Sequence, residues 1–299
     1  MRTDFHGIYP ILYAFFDAQG RPQREPLRAQ VDAAVRHGAQ GVAVLGLATE
    51  TNKLDTGERR QILEWTAEAL GGRLPLAVTV AEPSVHGQAA FVRAAKDAGA
   101  SWVILQPPAV SGLTEAELVR FFGGVAASTD LPVAIQNAPQ YLSAGLSNAA
   151  LRELNRQHPN VCLLKGEAPA QVIERLVAET EGVYRVFNGR GGMELPECLR
   201  AGCVGMIPAP ECFDVQVAIY ALMQRRDARS VALAEERYRE VLPLIVFLMS
   251  SIDTFICYGK RILGRRLGID EVIDRAPALR PTAFGLEMAQ RLSSMLGPL

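Results

Sequence analysis

The residue in this sequence best placed to do chemistry is a lysine at the end of an apolar run. Lys165 closes Val161-Cys162-Leu163-Leu164, a run that reads as a strand. Burial disfavours an ammonium, so an amine among apolar neighbours keeps a lone pair for attack on a ketone. An arginine, which never deprotonates, could not replace it. The competing reading is a strand-end lysine that merely reaches water. Lysine is scarce here, with Lys53, Lys96, Lys165 and Lys260 the only four, because nearly all the positive charge is arginine. Lys96 falls mid-helix beside Asp97 and reads as solvated surface.

Other groups define competing chemistries. Gly189-Arg190-Gly191-Gly192 could cradle a phosphate with backbone amides and Arg190, although a close-packed glycine turn that leaves room for substrate explains the same residues. His6, His37, His86 and His158 show no metal-ligand spacing, and the five cysteines, Cys162, Cys198, Cys203, Cys212 and Cys257, include no Cys-x-x-Cys pair. Reduced, buried thiols and no metal site are expected. Tyr13 and Tyr141 are hydroxyls near strand ends, read first as packing residues.

For Lys165 to act, the chain must deliver it to an accessible rim. Short apolar runs bounded by Gly or Pro alternate with segments of helical periodicity. Strands are predicted over 7–14, 41–46, 76–80, 102–106, 133–137, 161–165, 184–188 and 204–208. Helices are predicted over 26–37, 56–70, 86–98, 114–127, 148–156 and 170–178, with capping signals at Thr56 and Thr114. Gly38, Gly99 and Gly202 are read as helix stops. Eight successive units favour an α/β fold of the (β/α)8 TIM-barrel type, whose functional side chains gather at the carboxyl ends of the strands. A doubly wound sheet is the rival, but the first strand-to-helix turn, Phe16-Asp17-Ala18-Gln19-Gly20, carries no Gly-x-Gly-x-x-Gly loop. After residue 210 the pattern is wholly helical, over 215–225, 228–263 and 282–296. The chain thus reads as one domain over 1–299, with the barrel in 1–225 and a C-terminal helical extension in 226–299 packed on it.

Hydrophobic residues are 49% and charged residues 21% of the 299, and the formal net charge is −1, which describes a globular protein. With no long run of Lys or Arg, neither nucleic acid nor an anionic membrane is an expected partner. No stretch approaches the roughly 18 uninterrupted apolar residues of a membrane helix, and no signal sequence is read at the start, so a cytoplasmic protein is expected.

Several motifs stand in a telling order: Gly46-Leu47-Ala48-Thr49-Glu50 after strand two, Gln136-Asn137-Ala138-Pro139 after strand five, Lys165 on strand six, and Asn188-Gly189-Arg190-Gly191-Gly192 after strand seven. With Tyr258-Gly259-Lys260 in the tail, these give the chain a resemblance, over nearly its whole length, to the dihydrodipicolinate synthase and N-acetylneuraminate lyase family of class I aldolases. The resemblance implies that Lys165 condenses with the 2-oxo group of pyruvate or a pyruvate-like acid, with no metal or organic cofactor. The imine formed then lets a C3 proton leave, or a C3–C4 bond be made or broken, through an enamine. It also implies that the loop after strand two holds the carboxylate, with the Thr49 hydroxyl and the N–H groups of Ala48 and Thr49 as candidate donors; a plain turn-stabilising role is the competing reading of Thr49. Asn137, Tyr141, Gly189 and Ile207 are further substrate contacts on this reading, and a homotetramer or homodimer is the implied assembly.

Departures from the family pattern narrow the activity. Typical members carry Tyr where Gln136 stands and another near Pro107-Pro108-Ala109. The Arg that holds a dicarboxylic partner in the synthases aligns with Tyr141, and the two hydroxyls expected after Gly46 are Leu47 and Ala48. The chain is more similar to the 2-keto-3-deoxy sugar acid dehydratase branch, which is like L-2-keto-3-deoxyarabonate dehydratase. That branch shares an amide for the tyrosine and the segment Lys165-Gly166-Glu167-Ala168-Pro169. It implies that Glu167 is the acid/base, removing a C3 proton or assisting loss of the C4 hydroxyl; a carboxylate favoured by a helix N-terminus is the rival role. The resulting expectation is a Schiff-base lyase acting on a 2-oxo acid, with catalytic Lys165, Glu167 and Gln136. A carbon–oxygen hydro-lyase comes first, aldol chemistry on pyruvate second, and a non-catalytic 2-oxo acid sensor is the alternative outside enzymes.

Overall fold

Strands covered on both faces need apolar residues at nearly every position, and the runs read from the sequence meet that demand. The computed structural model describes residues 4–110, 112–142 and 144–299. Its strands are β1 (Gly7–Ile8), β2 (Val42–Val44), β3 (Leu76–Val80), β4 (Trp102–Leu105), β5 (Val133–Asn137), β6 (Val161–Gly166), β7 (Arg185–Asn188) and β8 (Gly205–Met206). All are parallel, each pairs with its sequence neighbour from β2 to β8, and β1 pairs with β8 through Gly7 and Gly205. The ring closes on its remaining side where Ile11 bridges Ala43 and the Leu12 N–H donates to the Ala43 carbonyl at 3.0 Å. A doubly wound sheet would instead reverse its strand order midway.

The helices are α1 (Arg24–Arg36), α2 (Thr56–Leu70), α3 (Val85–Asp97), α4 (Glu115–Ala126), α5 (Pro139–Leu142), α6 (Asn148–Gln157), α7 (Ala170–Glu179), α8 (Leu195–Arg200), α9 (Phe213–Arg225), α10 (Ala228–Leu248), α11 (Ile252–Leu267) and α12 (Ala283–Leu292). Gly38, Gly99 and Gly202 follow helices at φ +74°, +93° and +100°, the left-handed stop expected of them. Inside the ring Tyr9, Trp102 and Phe187 fill the floor, with ring centroids 5.3 to 5.6 Å apart.

The structure corrects four local expectations. The strand expected over 7–14 is regular only over Gly7–Ile8: Pro10 has no N–H for the next rung, and pairing resumes irregularly at Ile11, whose N–H donates to the Pro208 carbonyl at 2.7 Å. The cap of α2 is Asp55 rather than Thr56: its carboxylate accepts from the Glu58 N–H at 2.8 Å, and Glu58 accepts from the Asp55 N–H at 3.0 Å. Thr114 and Glu117 make the capping box expected of them. The helix expected over 228–263 is two helices, since Ser251 accepts from the Thr254 N–H at 3.0 Å and starts α11 afresh. Finally, the turns after β5 and β7 contain the short helices α5 and α8, too brief to leave a periodic signal.

Candidate active site

Register, rather than proximity in sequence, assembles the site. In the β5–β6 pairing Gln136 lies opposite Lys165, and in the β4–β5 pairing Leu105 lies opposite Ile135, which brings Gln106 level with Gln136. Three polar side chains from successive strands therefore share one layer at the carboxyl end of the barrel, above an apolar floor. Glu167 follows Lys165 by two residues, so its side chain returns to the same face. Its backbone is fixed from two sides: its N–H donates to the Asn137 carbonyl at 3.1 Å, and Gln140 of α5 donates to its carbonyl.

The result is a buried ion pair. Lys165 Nζ stands 3.0 Å from Glu167 Oε1, with both side chains only 6% exposed. The same oxygen accepts from Gln136 Nε2 at 2.6 Å, and Gln136 Oε1 accepts from Gln106 Nε2 at 2.9 Å. Glu167 does not cap α7, whose N-cap is Pro169; its partners are the lysine and the amide. Gly189 permits this packing, because a Cβ there would come within 2.8 Å of the Glu167 carboxyl carbon.

A small cavity of about 30 Å³ opens between Ile11, Leu47, Ala48, Lys165, Glu167, Gly189, Arg190 and Ile207. Met249, Ile252 and Phe255, from the junction of α10 and α11, form a further wall. That space holds about one water, so a larger ligand must displace some of these side chains. A larger groove of about 550 Å³ lies at the opposite, amino-terminal end of the strands, between Phe5, Pro75, Lys96, Ser101 and Asp130. Its charged groups form the exposed Lys96–Asp130 pair, and the polar layer described above is nowhere near it.

Of the residues singled out in the sequence, Ala48, Lys165, Glu167, Gly189 and Ile207 face the cavity, and Gln136 stands behind Glu167. Two others are occupied elsewhere. Thr49 donates its hydroxyl to the Leu12 carbonyl at 2.6 Å, accepts from the Leu45 N–H at 2.9 Å, and gives its own N–H to the Gly46 carbonyl at 3.1 Å. Thr49 therefore stabilises the turn, its one hydroxyl proton engaged on the Leu12 carbonyl. The Leu47 and Ala48 N–H groups, by contrast, have no acceptor among the described residues. Asn137 spends its amide on the backbone of Leu146, donating at 3.0 Å and accepting at 2.8 Å; it braces the loop rather than facing a ligand. Tyr141 sits half-buried at the margin near Arg190. Partial burial and then the Glu167 charge push its hydroxyl upward, against the pull of Arg190.

The phosphate alternative meets a similar obstacle. The N–H groups of Gly189, Gly192 and Met193 are used within the turn, on Asn188 Oδ1, the Gly189 carbonyl and the Arg190 carbonyl. Arg190 itself is paired with Glu194 at 2.6 Å. Among the described residues no group of three or more His, Cys, Asp or Glu is gathered to hold a metal, and the five cysteines are free, four of them buried. No helix is long and apolar enough to cross a membrane.

Sequence reasoning passed over Gln106 and the wall from the extension. Gln106 ends the apolar run 102–105 just as Lys165 ends 161–164, so the same signal was available. Met249, Ile252 and Phe255 carry no such signal, because only long-range packing brings them to the site.

Fold and site together define a (β/α)8 barrel with a buried lysine–carboxylate pair at the carboxyl ends of its strands. The sequence profile of the dihydrodipicolinate synthetase family matches residues 4–278, and the chain belongs to that family. It is 26% identical over 247 residues to a 4-hydroxy-tetrahydrodipicolinate synthase of Salinibacter ruber, covering 80% of this chain and 79% of the relative. It is 23% identical over 266 residues to a probable 2-dehydro-3-deoxy-D-pentonate aldolase of Escherichia coli (strain K12), covering 87% and 88%. The crystal structure of a dihydrodipicolinate synthase from Rhodopseudomonas palustris superposes with a TM-score of 0.89 at 23% identity, covering 99% of both chains. Family members are lyases, aldolases and synthases among them.

Proposed function

We propose that Lys165 forms an imine with the 2-oxo carbon of a 2-keto-3-deoxy sugar acid and that the enzyme dehydrates it. The observation that carries this reading is the carboxylate of Glu167, buried 3.0 Å from Lys165 Nζ, within reach of the carbon next to an imine on that nitrogen. The substrate carboxylate is held by the N–H groups of Leu47 and Ala48, which have no acceptor among the described residues, and the carbon chain enters the cavity by displacing side chains that line it.

The reaction balances as follows. Nζ adds to C2 and the ketone oxygen leaves as water. Glu167 takes a proton from C3, and the electron pair runs onto nitrogen as an enamine. The enamine expels the C4 hydroxyl, which leaves as water with the proton from Glu167. In a pentonate, moving a proton from C5 to C3 gives a C4–C5 enol that becomes the aldehyde. Hydrolysis of the imine consumes one water and frees Lys165, so the net change is loss of one water. Gln136 cannot shuttle protons as a tyrosine would, and Tyr13 is committed elsewhere, donating to Glu211 at 3.0 Å. On this reading Glu167 is the group that moves them, with the Tyr141 hydroxyl at the margin near Arg190.

Aldol cleavage is the second reading, favoured by the name of the Escherichia coli relative; it uses the same imine but breaks C3–C4. Products separate the two. Incubated with 2-keto-3-deoxypentonate, the protein is expected to yield α-ketoglutarate semialdehyde without pyruvate. Pyruvate with glycolaldehyde would make it an aldolase, and a stable adduct without turnover would make it a sensor. The same reading includes a homodimer or homotetramer, supported by exposed apolar side chains on the extension such as Val246, 52% exposed, and Phe284, 70% exposed.

A further inference from the structure

The two oxygens of Glu167 stand in different surroundings. Oε1 receives Gln136 Nε2 and Lys165 Nζ. Oε2 has no donor among the described residues and lies toward Gly189, where a Cβ would come within 3.0 Å of it. This asymmetry depends on which end of the Gln136 amide faces the carboxylate, and a residue one strand further away helps to set it. Because Gln106 Nε2 donates to Gln136 Oε1 at 2.9 Å, the Gln136 oxygen faces Gln106 and its NH2 faces Glu167. Gln106 is itself held from behind. The fully buried Gln88 of α3 donates Nε2 to the main-chain carbonyls of Gln106 at 2.9 Å and Glu82 at 3.0 Å, which fixes the backbone from which the Gln106 side chain extends. With two carbonyls before it, the Gln88 amide has one workable orientation.

We propose that Gln106 is a positioning residue of this site: through Gln136 it saturates Glu167 Oε1 and leaves Oε2 as the oxygen that exchanges the C3 proton. The statement about proton exchange rests on the function proposed above; the clamp on Oε1 stands on geometry alone. No member of the Gln88–Gln106–Gln136 chain gives or takes a proton near neutral pH, so the chain orients and does not relay. The groups that face Glu167 are Lys165 on β6, Gln136 on β5, Tyr141 of α5, and Gly189 and Arg190 beyond β7. Gln106 acts on Glu167 only through one of them, Gln136.

The test combines a substrate-free reading with a catalytic one. In protein labelled with 13C at the glutamate carboxyl, the Glu167 signal, assigned with Glu167→Gln, is followed against pH in wild type, Gln106→Met and Gln136→Met. A hydrogen bond to a carboxylate favours its ionised form. The Glu167 signal is therefore expected to change over at higher pH in Gln106→Met and at higher pH still in Gln136→Met. Deuterium uptake at C3 of pyruvate is expected to slow in the same order, its acid limb moving to higher pH, while KM changes little because Gln106 touches no substrate. Glu167 titration in Gln106→Met that superimposes on wild type overturns the clamp, whatever pyruvate does. A shifted titration with unchanged C3 exchange overturns the role of Oε2. Should Gln106→Met not fold, Gln106→Glu replaces it: protonated, its carboxyl still donates to Gln136, so its exchange profile must follow wild type at acid pH and depart as the group ionises. Wild type that forms no borohydride adduct at Lys165 sinks the functional reading instead and leaves the titration result standing.

Discussion

Two lysines of this barrel are buried against a glutamate, and only one of them faces open space. Lys165 meets Glu167 at 3.0 Å beside the cavity. Lys260 of α11 meets Glu50 at 2.6 Å with no exposure at all, lies 4.9 Å from the Phe16 ring centroid, and shares Glu50 with Lys53, also at 2.6 Å. Burial pulls the Lys260 amine below its ordinary value while Glu50 pushes it back up. Desolvation alone therefore does not make a reactive amine; the ketone must also reach it. The Lys260 cluster instead ties the extension to the loop after β2, whose Leu47 and Ala48 line the cavity. One pair borders the cavity and carries the proposed reaction, and the other holds its neighbourhood in place.

Exchanging the two lysines breaks this comparison most sharply. Lys165→Met is expected to abolish C3 exchange and turnover. Lys260→Met is expected to retain imine formation but to cost about 1–3 kcal/mol of stability, because Glu50 loses one of its two buried partners and keeps Lys53. A denaturation curve beside an exchange assay checks both; loss of exchange in Lys260→Met with stability intact would erase the distinction. Next in size, Glu167→Gln is expected to lower kcat by about 10² to 10⁴ while imine trapping persists, and trapping with single-turnover kinetics would show it.

The smallest effect concerns Glu211, which lies where the extension meets the barrel. Burial raises its carboxyl from 4.5 to about 7, and Tyr13, itself pushed well up by burial and by Glu211, donates to it. A native-state value above the unfolded one means the native state holds the extra proton between those limits. Its contribution is complete below the unfolded value and is lost as pH rises through about 7, an effect on the order of 3 kcal/mol. Stability measured at pH 5 and pH 8 is expected to fall less in Glu211→Gln than in wild type; equal falls would show that Glu211 does not titrate in this range.

The sequence showed much of this arrangement because a strand alternates its faces and a barrel collects its strand ends. Lys165 and Glu167, two apart, had to share a face, and Gln136 ended a strand in the same way. Less legible are the local bonds of polar side chains: Thr49 in the turn after β2 and Asn137 at the end of β5 are expected as ligand contacts, and in this structure both bond to nearby backbone groups. Strand length was overestimated at Pro10, where the missing N–H outweighed the apolar pattern. The wall of Met249, Ile252 and Phe255 was hidden because it depends on a helix break at Ser251 and on contacts between distant parts of the chain.

The central claim, that Lys165 alone among the four lysines forms an imine with a 2-oxo acid, is tested most directly by borohydride reduction in the presence of pyruvate, followed by peptide mass mapping. The account predicts one adduct, on Lys165, absent from Lys165→Met and present in Lys260→Met. An adduct on Lys53, Lys96 or Lys260, or none on Lys165, would contradict it.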